Sequence, residues 1–188
     1  TLDKNIAINI LTKRMKRIDD QLKSYWKKQK KTLARRMLKL SAERAGIEEK
    51  LAVLTPVFEP APVSYEQVLN WTLSPTRQGV IGVKVAQSPK WLTSKVSTLL
   101  NEVGYKTSEN AHDVVTINVT SIKEFLNVEG FEKFTFTMKI SHIRDNDKVG
   151  SLSKSETVVG RNQEDALLKI KNSFSEYLEE ELYQLNLD

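Results

Sequence analysis

Between Asn5 and Leu54 the chain has no proline and a single glycine, Gly46. A stretch that long without a breaker favours helix, provided its apolar residues recur at helical spacing. They do. Leu11, Met15, Ile18 and Leu22 are followed by Tyr25 or Trp26, then by Leu33, Met37 and Leu40, then by Ile47, Leu51 and Leu54. The steps alternate four and three, with an extra four around Gln29 and Leu33, which is a heptad seam containing a stutter. One helix of about 45 residues would run about 65 Å. Its other faces are too polar for it to stand alone, so it needs a partner helix. The expectation is a coiled-coil-like helix packing on itself or on another protein. In the alternative, Gly46 ends a first helix and residues 47–54 turn back.

The same stretch carries the chain's positive charge. Residues 1–55 hold 15 Lys and Arg against 6 Asp and Glu, whereas the remaining 133 hold 14 against 18. Within 13–40 there are 12 cations against Asp19 and Asp20, with Tyr25 and Trp26 among them. Such a density suits a polyanion, and Lys27, Lys28, Lys30, Lys31, Arg35 and Arg36 are the candidate contacts to nucleic acid or anionic lipid. Yet the cations fall around most of the helix while the seam keeps to one side. A basic zipper separates these two regions, and here they are superimposed. Packing is therefore the first reading of this segment and polyanion contact the second.

The charge break near residue 55 marks a boundary. "TPVFEPAPVS", 55–64, holds three of the five prolines and reads as an extended linker. "YEQVLNW" adds one or two helical turns before Pro75. From Gly79 the elements are sharper. "GVIGVKVAQ" is a strand. A helix follows, with Ser88 as N-cap, Pro89 in its first turn and Gly104 past its end. "HDVVTINVTSIKEFL", 112–126, is a second strand. In "FEKFTFTMKISHI", Phe134, Phe136, Met138 and Ile140 alternate with Thr135, Thr137, Lys139 and Ser141, so one sheet face is dry and one wet. "RDNDKVG" is a turn and "SLSKSETVVG" a fourth strand. Asn162 caps a helix whose buried stripe is Leu167, Ile170, Phe174, Leu178, Leu182 and Leu185. The fold class expected is α+β. A long N-terminal helix precedes a four-stranded, mainly antiparallel sheet with two helices on one face, in the order β-α-β-β-β-α. The divisions are 1–54, a linker at 55–78, and a module at 79–188.

Tyr105, Asp113, Val114, Gly150, Gly160, Ala166 and Leu167 fall in a pattern of this kind: a helix, an aromatic, an aspartate opening an extended strand, amphipathic hairpin strands, and a glycine before the last helix. Over roughly 79–185 this resembles the small α/β module of bacterial envelope lipoproteins. Examples are the outer-membrane activator of penicillin-binding proteins, the curli secretion lipoprotein and the N-terminal domain of TolB. The pattern's small residue before the aspartate is His112 here, with Ala111 one place earlier, and its tryptophan near the hairpin end is absent. The resemblance implies a module that binds other proteins and assembles in the envelope without catalysing a reaction.

The residues themselves offer no catalytic constellation. His112 and His142 lack cysteines or a carboxylate at helical metal spacing, and read as ordinary strand-end residues. "RDNDKVG" lacks the glycine and closing glutamate of a calcium loop. The glycines of "GVIGVKV" fit no phosphate-binding motif and mark a bulge or close packing. The carboxylates of "EYLEEEL", 176–182, read as a solvated helix face. No serine sits in a nucleophile elbow. The expectation is a protein without catalytic, metal or cofactor site. It acts as an assembly or scaffolding part of the cell envelope or periplasm, through a protein partner or self-association. The alternative is a cytoplasmic protein that holds nucleic acid or anionic lipid with its basic helix. Zero cysteines exclude disulfides and thiolate sites; they fit an envelope protein that avoids stray oxidation and a cytosolic protein almost as well. No apolar run approaches the roughly 18–20 residues of a membrane span. Thr1 in place of a methionine suggests a fragment, so the sequence leaves open whether a signal, anchor or lipidation site precedes it.

Overall fold

A computed structural model describes residues 1–55, 57–73 and 79–187, which fall into two compact units divided at Pro75 and Thr76. In the first unit the seam does not continue through one long helix. Helix α1, Leu2–Lys28, begins at Thr1, whose side chain accepts from Lys4 N. It stops at Gln29, which adopts φ 50° and ψ 41°. A 3₁₀ turn at Lys31–Leu33 leads into α2, Ala34–Leu54, which returns along α1. A left-handed glutamine is strained. Gln29 Nε2 offsets this by donating to the carbonyl of Trp26 at 2.6 Å. The expected unbroken helix is thus corrected to a hairpin, and its stutter is the turn. Gly46 ends nothing, because it lies inside α2.

Each half of the seam covers the other. Met15, Ile18 and Leu22 pack with Met37, Ile47 and Leu51. The segment read as a linker joins them through Val63 and Val68, with Phe58 partly buried beside them. Helix α3, Tyr65–Leu73, opens with a reciprocal cap: Gln67 N donates to Ser64 Oγ at 3.1 Å, and Ser64 N to Gln67 Oε1 at 2.8 Å. Trp71 then stands edge-on to Trp26 of α1 at 5.6 Å. Residues 57–64 are more than a spacer, since Phe58 and Val63 bury against the hairpin. Pro75, expected to stop this helix, lies outside the described residues.

The second unit is a five-stranded sheet in the order β2-β1-β3-β4-β5. The strands are β1, Gly79–Gln87; β2, Tyr105–Thr107; β3, Asp113–Glu124; β4, Glu132–Arg144; and β5, Asp147–Gly160. Strand β1 pairs in parallel with β2 and β3, and the other neighbours are antiparallel. The expected four strands are corrected to five. At three residues, β2 is too short for any periodicity, and only its pairing with Gly79–Ile81 makes it a strand. Gly79 permits that approach, because a Cβ there would meet the Tyr105 ring at 2.8 Å. The bulge in β1 falls at Val85–Gln87 and not at its glycines.

Helices α4, Lys90–Glu102, and α5, Gln163–Glu181, cover one face of the sheet. The core holds Leu92, Val96 and Leu100, Ile170, Phe174 and Leu178, and beneath them Val115, Ile117, Phe134, Phe136, Met138 and Ile140. On the opposite face Thr135 and Thr137 share hydroxyl hydrogen bonds with Thr157 and Ser155 at 2.9 and 2.8 Å. Asn162 caps α5 by accepting from Asp165 N. The Ser88 cap is corrected by one position: Pro89 is the N-cap of α4, and Ser88 Oγ bonds to the Pro89 carbonyl instead. The turn between β4 and β5 is only Asp145 and Asn146, with φ 50° and 71°, the primed geometry that matches strand twist.

Candidate functional site

Three places in the two units gather polar or exposed apolar side chains. The first lies where β3 begins. His142, fully buried, has Nε2 2.7 Å from Asp113 Oδ1 and Nδ1 2.7 Å from the carbonyl of Leu185. Arg144 Nε donates to the same Asp113 oxygen at 2.8 Å. Leu185 belongs to the 3₁₀ turn Leu182–Leu185 that follows α5, and Tyr105 Oη donates to the carbonyl of Leu187 just beyond, at 2.5 Å. Both imidazole nitrogens are spent on acceptors, which leaves neither for a reacting group. This His–Asp pair ties the end of the chain to the sheet. His142 is therefore a buried clamp, where an ordinary strand-end residue was expected. His112 is exposed, with Nδ1 3.0 Å from Asp145.

Burial pushes the Asp113 carboxyl up, but hydrogen bonds from Arg144 and His142 outweigh it and hold the group below its ordinary value. A depressed carboxylate stabilises the fold above its unfolded value, near pH 4, and that contribution disappears as pH falls through the lower folded value. Urea midpoints of the second unit should hold steady down to about pH 4 and then decline. Asp113→Asn should flatten that acid limb, and an unchanged slope would refute the assignment.

The second place is the loop between β3 and β4. Cross-strand pairs Lys123–Glu132 at 3.3 Å and Lys133–Glu124 at 3.5 Å close its stem. Beyond them, in the loop, Phe125 is 91% exposed, Val128 52% and Phe131 37%, and Ile122 on the adjoining strand β3 is 64% exposed. With Arg161 the loop lines an open hollow of about 640 Å³. Three large apolar side chains of the loop, Phe125, Val128 and Phe131, thus stand in water within seven residues. Sequence reading extended the second strand over Phe125 and so missed it. The signal was there in "FLNVEGF", whose apolar residues flank turn residues without alternating.

The third place is the hairpin. Met15, Ile18, Leu22 and Met37 of the seam are buried between its helices, and Leu11, Trp26 and Leu40 are partly buried against them. Leu33 is buried at the turn. The fold-back brings the cationic candidates together at its closed end. Lys27 and Lys28 finish α1, Lys30 and Lys31 lie in the turn, and Arg35 and Arg36 open α2. Lys28 and Arg36 stand over the Tyr25 ring at 5.9 and 5.3 Å, and Lys31 over Trp71 at 5.0 Å. Lys31 also donates to the Trp71 carbonyl. One buried cation was not singled out by sequence: Arg44, which binds Asp19, Glu48 and the carbonyl of Glu59.

The acidic run of α5 departs from a purely solvated face, since Glu179 pairs with Lys95 of α4 and Glu181 accepts from Gln184 at 2.6 Å. Among the described residues no three His, Asp or Glu side chains are grouped to hold a metal, and no helix is long and apolar enough to cross a membrane.

A two-layer α/β unit joined to a helical hairpin is thus the class of protein defined by this fold. No family model and no curated protein matches the chain. Solved structures do. The chain is similar to a minor lipoprotein from Acinetobacter baumannii, with a TM-score of 0.39 and 12% identity over 55% of this chain and 91% of that one. It is also similar to the rare lipoprotein B of Shewanella oneidensis, with a TM-score of 0.34 and 10% identity over 55% and 86%. An uncharacterised lipoprotein B from Nitrosomonas europaea has a TM-score of 0.34 and 9% identity over 60% and 81%. These neighbours are bacterial lipoproteins, and they are not the three family types that the sequence resembles. The likeness assigns neither activity nor partner.

Proposed function

We propose that this chain is a non-catalytic assembly part of the bacterial envelope, and that its α/β unit holds a protein partner on the β3–β4 loop. The observation that carries this reading is the exposed apolar crown of that loop, led by Phe125. Other docking modes are less open. The seam is consumed inside the hairpin, so an intermolecular coiled coil would have to undo an existing core. Strand β5 forms one edge of the sheet, yet three of its carbonyls are taken. Asn186, Tyr177 and Lys169 donate to Val149, Ser153 and Val159, each at 2.8 Å. An edge furnished in this way resists strand addition. The envelope location is supported by the lipoprotein-like pattern over 79–185.

An aromatic anchor at the centre of a contact contributes about 2 kcal/mol or more. Phe125→Ser with Val128→Ser should therefore weaken partner capture at least roughly thirtyfold while moving stability by less than about 0.5 kcal/mol. A photo-crosslinking residue at position 125, in cells, should yield a discrete protein adduct that the same residue at Lys139 does not. No adduct from position 125, or equal adducts from both, would reject the loop as the docking site.

A further inference from the structure

Folding back turns a charge asymmetry along the chain into one along the hairpin. Residues 21–42, which make the closed end, hold Lys23, Lys27, Lys28, Lys30, Lys31, Arg35, Arg36 and Lys39 with no acidic residue among them. The other residues of the first 55 hold seven cations and six acids, nearly in balance. Outside the closed end, Arg44 binds Asp19 and Glu48, and Arg14 approaches Glu43 at 3.9 Å. A helix C-terminus favours basic residues in its last turn, which accounts for Lys27 and Lys28. It does not account for Lys23, four residues before Lys27, where like charges repel along the helix.

The rings at this end narrow the choice of polyanion. Trp26 stands against Trp71, while the Tyr25 and Trp71 rings already have cations over them. Rings engaged in this way are poor platforms for stacking bases, which is how single-stranded nucleic acid is held. Half-buried tryptophan and tyrosine beside lysines are instead the composition of a membrane–water interface, with apolar ring bodies at headgroup depth and cations at the phosphates.

We propose that the closed end of the hairpin rests on an anionic lipid surface, with Lys23, Lys27, Lys28 and Lys30 facing headgroup phosphates and Tyr25 and Trp26 at headgroup level. This goes beyond the loop-mediated protein contact and uses none of its residues. A lysine near an anionic bilayer contributes about fivefold to partitioning, so four contribute several hundredfold, on the order of 5⁴.

Sedimentation of the full chain with vesicles tests it. Binding should appear with vesicles containing phosphatidylglycerol, stay undetectable with pure phosphatidylcholine, and fall steeply by about 0.3 M salt. Changing Lys23, Lys27, Lys28 and Lys30 to Gln should lower partitioning at least a hundredfold, whereas Lys13→Gln with Lys16→Gln should change it less, within about twenty-five-fold. The helical circular dichroism of both variants serves as the folding control, because all six positions are polar and surface-facing or half-exposed. Equal partitioning of the quadruple variant would overturn the proposal. So would tighter binding to random duplex DNA than to anionic vesicles at equal phosphate concentration, an outcome that assigns the closed end to nucleic acid.

Discussion

Replacing Arg44 with leucine is expected to unfold the helical unit while leaving the sheet unit's transition in place. The Arg44 side chain is 2% exposed, and its Nε lies 2.5 Å from Asp19, whose own side chain is 14% exposed. It also binds Glu48 and the Glu59 carbonyl at 2.8 Å, so one guanidinium joins α1, α2 and the segment leading to α3. Removing the cation leaves the Asp19 carboxylate shielded from water and unpaired. Breaking a buried pair from one side costs about 3 kcal/mol or more, even though the pair as a whole adds little over an apolar replacement. A unit of some seventy residues has only a few kcal/mol in reserve. In urea, helical circular dichroism should therefore collapse at a much lower concentration than in the parent. Adding Asp19→Asn and Glu48→Gln to Arg44→Leu should restore part of the loss, because the stranded charges are gone. An unchanged midpoint for Arg44→Leu would show that the guanidinium is dispensable.

Gly150→Val should be comparably severe in the other unit. A Cβ at position 150 would lie 2.5 Å from the carbonyl carbon and oxygen of Leu185 and 2.6 Å from the carbonyl of Gln184. These are backbone atoms and cannot rotate aside. The turn they belong to is held by His142 on Leu185, by Tyr105 on Leu187 and by Asn186 Nδ2 on Val149 at 2.8 Å, with Leu185 and Leu187 buried in the core. To admit the valine, that clamp must open. Overpacking of this kind costs about 3 kcal/mol, and for a unit of this size that lowers the melting temperature by on the order of 10 °C. Amide exchange should rise first in residues 182–187. A melting temperature within about 2 °C of the parent would show that the turn moves freely.

The two units differ in how much of them could be read in advance. In the sheet, Phe134 to Ile140 alternating with Thr135 to Ser141 specified a strand and which face it buries, because a period of two has one consistent burial. Asn162 and the stripe from Ile170 to Leu178 did the same for α5. Short-range chemistry was legible even where it was not used: "SYEQ" is a capping box, and the asparagine after Asp145 suits a primed two-residue turn. What had no local signature was the pairing of Tyr105–Thr107 with Gly79–Ile81, and the meeting of Asp113, His142, Arg144 and Leu185. Asp113, the His142–Arg144 pair and Leu185 are far apart in sequence and share no common period, and neither do the two strand segments. The exposed loop was hidden for a related reason, since an apolar residue in sequence does not announce that its strand has already ended.

The helical half shows the division most clearly. Leu11, Met15, Ile18 and Leu22, continued by Met37, Ile47 and Leu51, determined by themselves that one stripe must leave the water. Only the tertiary structure decided that the stripe is covered by its own second half, through a turn at Gln29 that contains neither glycine nor proline. Hydrophobic burial is non-directional, and a stripe states how much surface must be hidden without stating against what. The partner is chosen by whichever surface is tethered nearest. Here residues 31–54 of the same chain, entered through a 3₁₀ turn, are tethered beside it at little loop-closure cost.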